Sequence, residues 1–203
     1  MKKFDAWSIK CATPCSCKER QLIHDPNLLE ALSSLNVIEF DGRVFRVAGK
    51  QADPIAFSQS GGRWAMDTDK EGGCPILYTS THREGAIAEV ASYLGLLTPV
   101  PLKPLKLHEL EVSLDRTLRL AVTDFAELGI NESEYSARNY ERTQRVGAAV
   151  NFLELDGLFA PSARWNCANL MIYGDNHKLE KKLEVIQSID LPYDEWKIFA
   201  EHI

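Results

Sequence analysis

The chain lacks several features that would each point to a function class. No apolar run approaches the roughly 18 residues of a membrane-spanning helix. Two lysines open the sequence but no hydrophobic h-region follows them, so neither membrane insertion nor secretion is expected. Cysteine is scarce and odd in number, five in 203 residues. The thiols therefore cannot all pair internally, and a reducing cytoplasm is the expected setting. Basic residues are in deficit: 23 Lys and Arg against 29 Asp and Glu leave a net charge of −6. That balance argues against direct binding of nucleic acid, whose phosphates call for surplus cations. It leaves room for a small anionic ligand, which one or two local arginines can hold. The glycines form no G-x-G-x-x-G and no P-loop, and no G-x-S-x-G surrounds a serine. Rossmann-type, kinase-type and acyl-transfer chemistry are thereby left without support. Internal repeats and low-complexity tracts are absent as well.

What the chain has is a hydrophobic fraction of 45%, enough to fill a core. Residues 1–40 differ from the rest and read as an N-terminal extension to a main domain over residues 41–203. Cys11, Cys15 and Cys17 crowd into this extension, with His24 following. Thiolates at short spacing suit zinc, but the paired C-x-x-C spacing of structural zinc sites is missing. The alternative is reduced thiols in a surface segment, and no metal is expected to be required. Residues 26–32 then read as a short helix starting at Asp25 or Pro26.

Residues 43–48 are β-branched and aromatic and end at Gly49, which reads as a strand. Residues 49–75 lack periodicity and read as a long structured loop, often a functional feature in a compact domain. Residues 75–80 read as a second strand. A helix follows, with Thr81 and Glu84 spaced as a capping box. Ala86, Ile87, Val90, Ala91 and Leu94 then recur at helical spacing. Glu89 lies about 120° from the centre of that stripe and borders the buried face. Leu110, Val112 and Leu114, then Leu118, Leu120 and Val122, alternate with polar residues as two half-buried strands. Residues 135–155 read as one or two helices, and residues 158–160, 170–173 and 183–186 as further strands before a C-terminal tail with Trp196 and Phe199. Strands and helices interleave without clean alternation, so an α+β (mixed α/β) sheet is expected rather than a doubly wound parallel one.

Four places in the chain could carry chemistry: residues 61–64, Arg46, Glu89 and Ser162. Gly61 and Gly62 permit close backbone approach to a ligand, Arg63 offers a planar cationic fork, and Trp64 offers a flat apolar face. The alternative is a tight turn with a buried tryptophan and a surface arginine. Arg46 is a charge inside an apolar strand; pointing inward, it needs a partner or a ligand. Glu89 and Ser162 each have a plain alternative, a solvated helix glutamate and a turn serine.

Together these segments carry more than any one alone. Val44-Phe45-Arg46-Val47, Gly61-Gly62-Arg63-Trp64, Leu77-Tyr78-Thr79-Ser80, Ala86-Ile87-Ala88-Glu89-Val90 and Pro161-Ser162-Ala163-Arg164, with Asn169-Leu170 following, resemble the RES domain in order and spacing. The likeness covers residues 43–98 and 157–177. It implies a fold like that of ADP-ribosyltransferase toxins, with a split, twisted sheet around an NAD cleft. It implies a toxin that depletes NAD+ by hydrolysis or phosphorolysis, with no further cofactor, neutralised by an Xre-type antitoxin. By the same resemblance Arg46, Glu89 and Ser162 are the catalytic set, and Gly62, Arg63, Trp64, Tyr78 and Ser80 bind substrate, Tyr78 on the nicotinamide side. Ala65 stands where the family often has asparagine. Phe57 stands near a usual tyrosine, and Asp175-Asn176-His177 only echoes a C-terminal motif. Two alternatives remain: transfer of ADP-ribose to a macromolecule, and a non-catalytic nucleotide-binding or interaction module.

Overall fold

The computed structural model describes residues 24–100, 102 and 104–201. The cysteines at 11, 15 and 17 lie outside the described residues. Helix α1, Pro26–Ser34, opens with the Asp25 carboxylate accepting the Asn27 N–H at 3.0 Å, the expected N-cap with proline just inside. Strand β1, Val37–Gly49, is longer than its β-branched centre. Then come β2, Ile76–Ser80, α2, Arg83–Leu94, and β3, Leu105–Arg119. After two 3-10 turns the chain forms α3, Glu141–Phe152, β4, Gly157–Pro161, β5, Ala168–Tyr173, β6, Leu183–Leu191, and α4, Tyr193–Glu201.

The mixed α/β class is as expected, and the sheet is split. In one half β1 lies antiparallel to β3, from Val37 opposite Leu118 to Gly49 opposite Leu105, and β6 lines the other edge of β3. In the other half β2, β5 and β4 run antiparallel in turn. Two narrow seams join the halves. One is a short parallel contact between β3 and β4 around Leu118 and Leu158; the other is the single pair Phe45 opposite Ser80 between β1 and β2.

Three apolar clusters fill the layers. Val44, Leu110 and Val112 from the first half meet Leu77, Phe159, Leu170 and Ile172 from the second. Ala86, Ile87, Ala91 and Leu94 of α2 and Trp196 of α4 cover Val47, Leu105, Leu107 and Leu191. Leu28 and Leu32 of α1 and Val146, Ala149 and Val150 of α3 cover Ile76, Leu158, Met171 and Tyr173. Residues 26–40 are thus built into the same body, and the boundary drawn at residue 40 falls inside β1.

Three local expectations are corrected. The strands expected at 110–114 and 118–122 are not two: β3 runs unbroken past Leu114 to Arg119, with Leu110, Val112, Leu114 and Leu118 at the same parity, and Val122 begins a 3-10 turn instead. The C-terminal tail is a helix, with Tyr193, Trp196 and Phe199 at helical spacing. The capping box at Thr81 is not formed. His82 is the N-cap residue, and the Thr81 hydroxyl donates to the Ala168 carbonyl at 2.9 Å.

Candidate active site

Glu89 reaches the site because α2 docks closely on the strand ends. A Cβ on Gly85, in the first turn of α2, would sit 2.4 Å from both Ser80 Oγ and Cys167 Sγ. Only glycine allows that approach, and it brings the next turn over the end of β4 and the start of β5. There Glu89 Oε1 accepts two hydrogen bonds, from Ser162 Oγ at 2.7 Å and from Asn169 Nδ2 at 2.7 Å. A carboxylate only accepts, so the Asn169 amide must turn its NH2 toward Glu89. Its Oδ1 is then buried with no partner. Glu89 Oε2 carries no hydrogen bond among the described residues, and the side chain is partly exposed.

Ser162 is fully committed. Its Oγ accepts the backbone N–H groups of Arg164 at 3.1 Å and Trp165 at 3.2 Å while donating to Glu89. Such a hydroxyl orients a carboxylate and has no lone pair left for attack. Cys167 lies behind it, 3.3 Å from Ser80 Oγ. Burial pushes the Cys167 thiol pKa up, and the Glu89 charge pushes the same way, so a thiolate is disfavoured there.

Arg46 lies on β1, one residue past the lone β1–β2 pair. Its Nη1 donates to the Tyr78 carbonyl at 3.3 Å and its Nη2 to the Ala56 carbonyl at 3.5 Å. The guanidinium therefore spans the gap where the backbone ladder stops. Burial lowers its pKa and Asp53 partly opposes this, but an arginine remains a cation. Its Nε is buried without a partner, and no ion pair reaches it among the described residues. Two long bonds and an orphan donor leave it short of an anion. No hydrogen bond joins Arg46 to Glu89.

The other expected residues divide. Tyr78 Oη accepts the Trp64 N–H at 3.0 Å, and a Cβ on Gly62 would lie 2.6 Å from that oxygen. Gly62 is thus required by a tyrosine beneath it, and burial raises the Tyr78 pKa so that the phenol stays neutral. Trp64, expected to offer a face to a ligand, is a core residue with 2% exposure. Ser80, expected at the substrate, has 1% exposure and lies beneath α2. Arg63 is taken up by the protein itself. Its Nη1 donates to the Tyr135 carbonyl and its Nη2 to the Ala137 carbonyl at 3.2 Å. Its guanidinium lies 4.8 Å from the Tyr135 ring centre and 4.6 Å from that of Tyr140. Asn176, part of the echoed motif, donates to Asn151 and Leu155 carbonyls and is structural.

Asn169, Tyr135 and Gln144, whose Nε2 donates to the Gly62 carbonyl at 2.9 Å, had no role assigned from sequence. For Asn169 the sequence signal is its place just after the Pro161-Ser162-Ala163-Arg164 segment; the fold sets it opposite Ser80 and Ala160, at the strand ends where the motifs converge.

The RES domain family model matches residues 43–194. The chain belongs to the RES domain family. Its fold also matches a chain of the M. tuberculosis MbcT–MbcA toxin–antitoxin complex, with a TM-score of 0.74 at 20% identity, covering 87% of this chain and 98% of that one. No curated protein matches the chain. Within this RES domain no group of three or more His, Cys, Asp or Glu side chains among the described residues is arranged to hold a metal. No helix among them is long and apolar enough to cross a membrane.

Proposed function

We propose that this RES domain cleaves the nicotinamide–ribose bond of NAD+ and acts as the toxin of a toxin–antitoxin pair. The observation that carries the reading is the carboxylate clamped by Ser162 and Asn169 through one oxygen with the other left open. Departure of neutral nicotinamide moves positive charge onto the ribose, as in other glycosidic cleavages with oxocarbenium-like transition states. A carboxylate fixed in place before that charge develops stabilises the transition state without reorganising. Glu89 Oε2 is the group for this role, and Ser162 and Asn169 hold it. Arg46, with two long carbonyl bonds and one unpartnered donor, takes a phosphate oxygen of the diphosphate.

Two acceptors balance the reaction. Water gives ADP-ribose, nicotinamide and a proton; hydrogen phosphate gives ADP-ribose phosphorylated at the anomeric carbon, and nicotinamide. The likeness to a chain of a toxin–antitoxin complex supports an antitoxin partner, and the family resemblance supports one of the Xre type.

The test is NAD+ loss by the purified protein, with and without phosphate, beside Glu89→Ala. Glu89 is partly exposed, so the variant is expected to fold and to lose turnover. Loss that needs Glu89 supports the enzyme, and its phosphate dependence names the acceptor. Full activity in Glu89→Ala sinks the assignment. NAD+ that binds without loss would favour a non-catalytic module or a macromolecular acceptor.

A further inference from the structure

Residues 131–140 form no helix or strand beyond a single 3-10 turn, yet three parts of the site are tied to them. The Tyr135 hydroxyl donates to the Pro161 carbonyl at 2.6 Å. Arg138 Nη2 donates to the Ser92 carbonyl at 2.6 Å, one turn beyond Glu89 on α2. Arg63 holds the Tyr135 and Ala137 carbonyls and stacks between the Tyr135 and Tyr140 rings. The segment therefore links the Gly-Gly-Arg-Trp turn, the end of β4 and the helix that carries Glu89.

The Pro161–Ser162 peptide is held at both ends. Its carbonyl accepts the Tyr135 hydroxyl, and its N–H donates to the Cys167 carbonyl at 2.8 Å. That peptide plane sets the direction in which the Ser162 side chain leaves the backbone, and hence its bond to Glu89. The Tyr135 ring is itself fixed against Phe125, with centres 4.7 Å apart, and against Arg63.

We infer that residues 131–140 are a strap that sets the geometry of the Glu89–Ser162 pair, with the Tyr135 hydroxyl as the positioning group and Arg63 as its clamp. Arg63 then serves the site through Tyr135 rather than by touching substrate. Only the kinetic readout of this inference rests on the NAD+-cleaving reading.

Tyr135→Phe removes the hydroxyl and keeps the ring. The kcat for NAD+ loss is expected to fall roughly tenfold, within the loss expected for removing Ser162 itself, with KM little changed. In a Ser162→Ala background the same change should cause no further loss, because the strap acts through Ser162. Independently of turnover, the Ser162 amide should exchange its hydrogen faster in Tyr135→Phe. Arg63→Lys, which keeps the charge but not the planar fork, should reproduce both effects and stands in if Tyr135→Phe does not fold. Wild-type kcat, an additive loss in the double variant, or unchanged exchange at Ser162 would each overturn the strap. If the wild-type protein cleaves no NAD+, the catalytic reading fails while the exchange comparison still decides the inference.

Discussion

The Ser162 hydroxyl donates to Glu89 Oε1 at 2.7 Å, and its own lone pairs are occupied by the Arg164 and Trp165 amides. This polarity assigns Ser162 to orienting the carboxylate. A nucleophilic serine would also donate to a base such as a carboxylate, but it would keep a lone pair free for attack.

Ser162→Ala should therefore reduce turnover without abolishing it. A hydrogen bond to a charged group contributes about 2 kcal/mol, which corresponds to roughly thirtyfold in rate. The companion measurement is labelling with a serine-directed organophosphorus reagent. Neither labelling nor inactivation is expected. A covalent adduct on Ser162 would overturn the orienting role.

Arg46→Ala is expected to weaken NAD+ binding by about tenfold or more, the scale of one charge-assisted hydrogen bond lost. Arg46→Lys should fall between, because an ammonium cannot span the Tyr78 and Ala56 carbonyls and a phosphate together. Titration of the inactive Glu89→Ala protein with NAD+ measures this without turnover. Equal affinity in all three proteins would mean that Arg46 only bridges the β1–β2 gap.

The parts of the site legible in the sequence are those governed by local periodicity. The position of Glu89 at the margin of an apolar stripe follows from the helical wheel, and the strand carrying Arg46 follows from its β-branched neighbours. The parts not legible depend on distant partners. Arg63 looks like a free phosphate fork in sequence, and only the fold shows its donors taken by carbonyls 72 and 74 positions away. Trp64 beside two glycines suits a ligand face or a core equally, and the packing of α3 decides for the core. Residues 131–140 carry no period, so their role as a strap leaves no trace in spacing. Asn169 stands within a recognisable segment, but its contact with Glu89 requires the β4–β5 pairing and the close docking of α2 at Gly85.

The decision for the core at Trp64 can be tested through Gly147. A Cβ there would lie 1.7 Å from the Trp64 carbonyl oxygen, a backbone atom that cannot swing aside. Gly147→Ala should destabilise the protein by about 3 kcal/mol, in the upper range for overpacking. Gly49→Ala is the control. Its Cβ would meet nothing nearer than the Ala52 Cβ at 4.0 Å, and a change within about 0.5 kcal/mol is expected. Chemical denaturation of the two variants measures the difference. Equal stabilities would mean that α3 does not pack against the Gly-Gly-Arg-Trp turn as described.

Three histidines make the fold sensitive to mild acid. His108 is buried, with Nδ1 2.7 Å from Ser188 Oγ and Nε2 without a partner. Burial lowers its pKa below the ordinary 6.5, and the nearby Lys106 and Arg46 charges lower it further. Burial also lowers His24 and, against the pull of Asp156, His177. In each case the fold favours the neutral ring, so below pH 6.5 the unfolded chain binds more protons than the native one. Stability is then complete above that pH and declines as pH falls through it toward the depressed native values. The melting temperature should drop between pH 7 and pH 5.5, before most carboxylates protonate. In His108→Gln the drop should be smaller, although the variant starts from a lower melting temperature at pH 7 because the ring packing is lost. Thermal melts of both proteins across this range measure the two slopes. An unchanged slope in His108→Gln would show that His108 does not favour its neutral form in the fold.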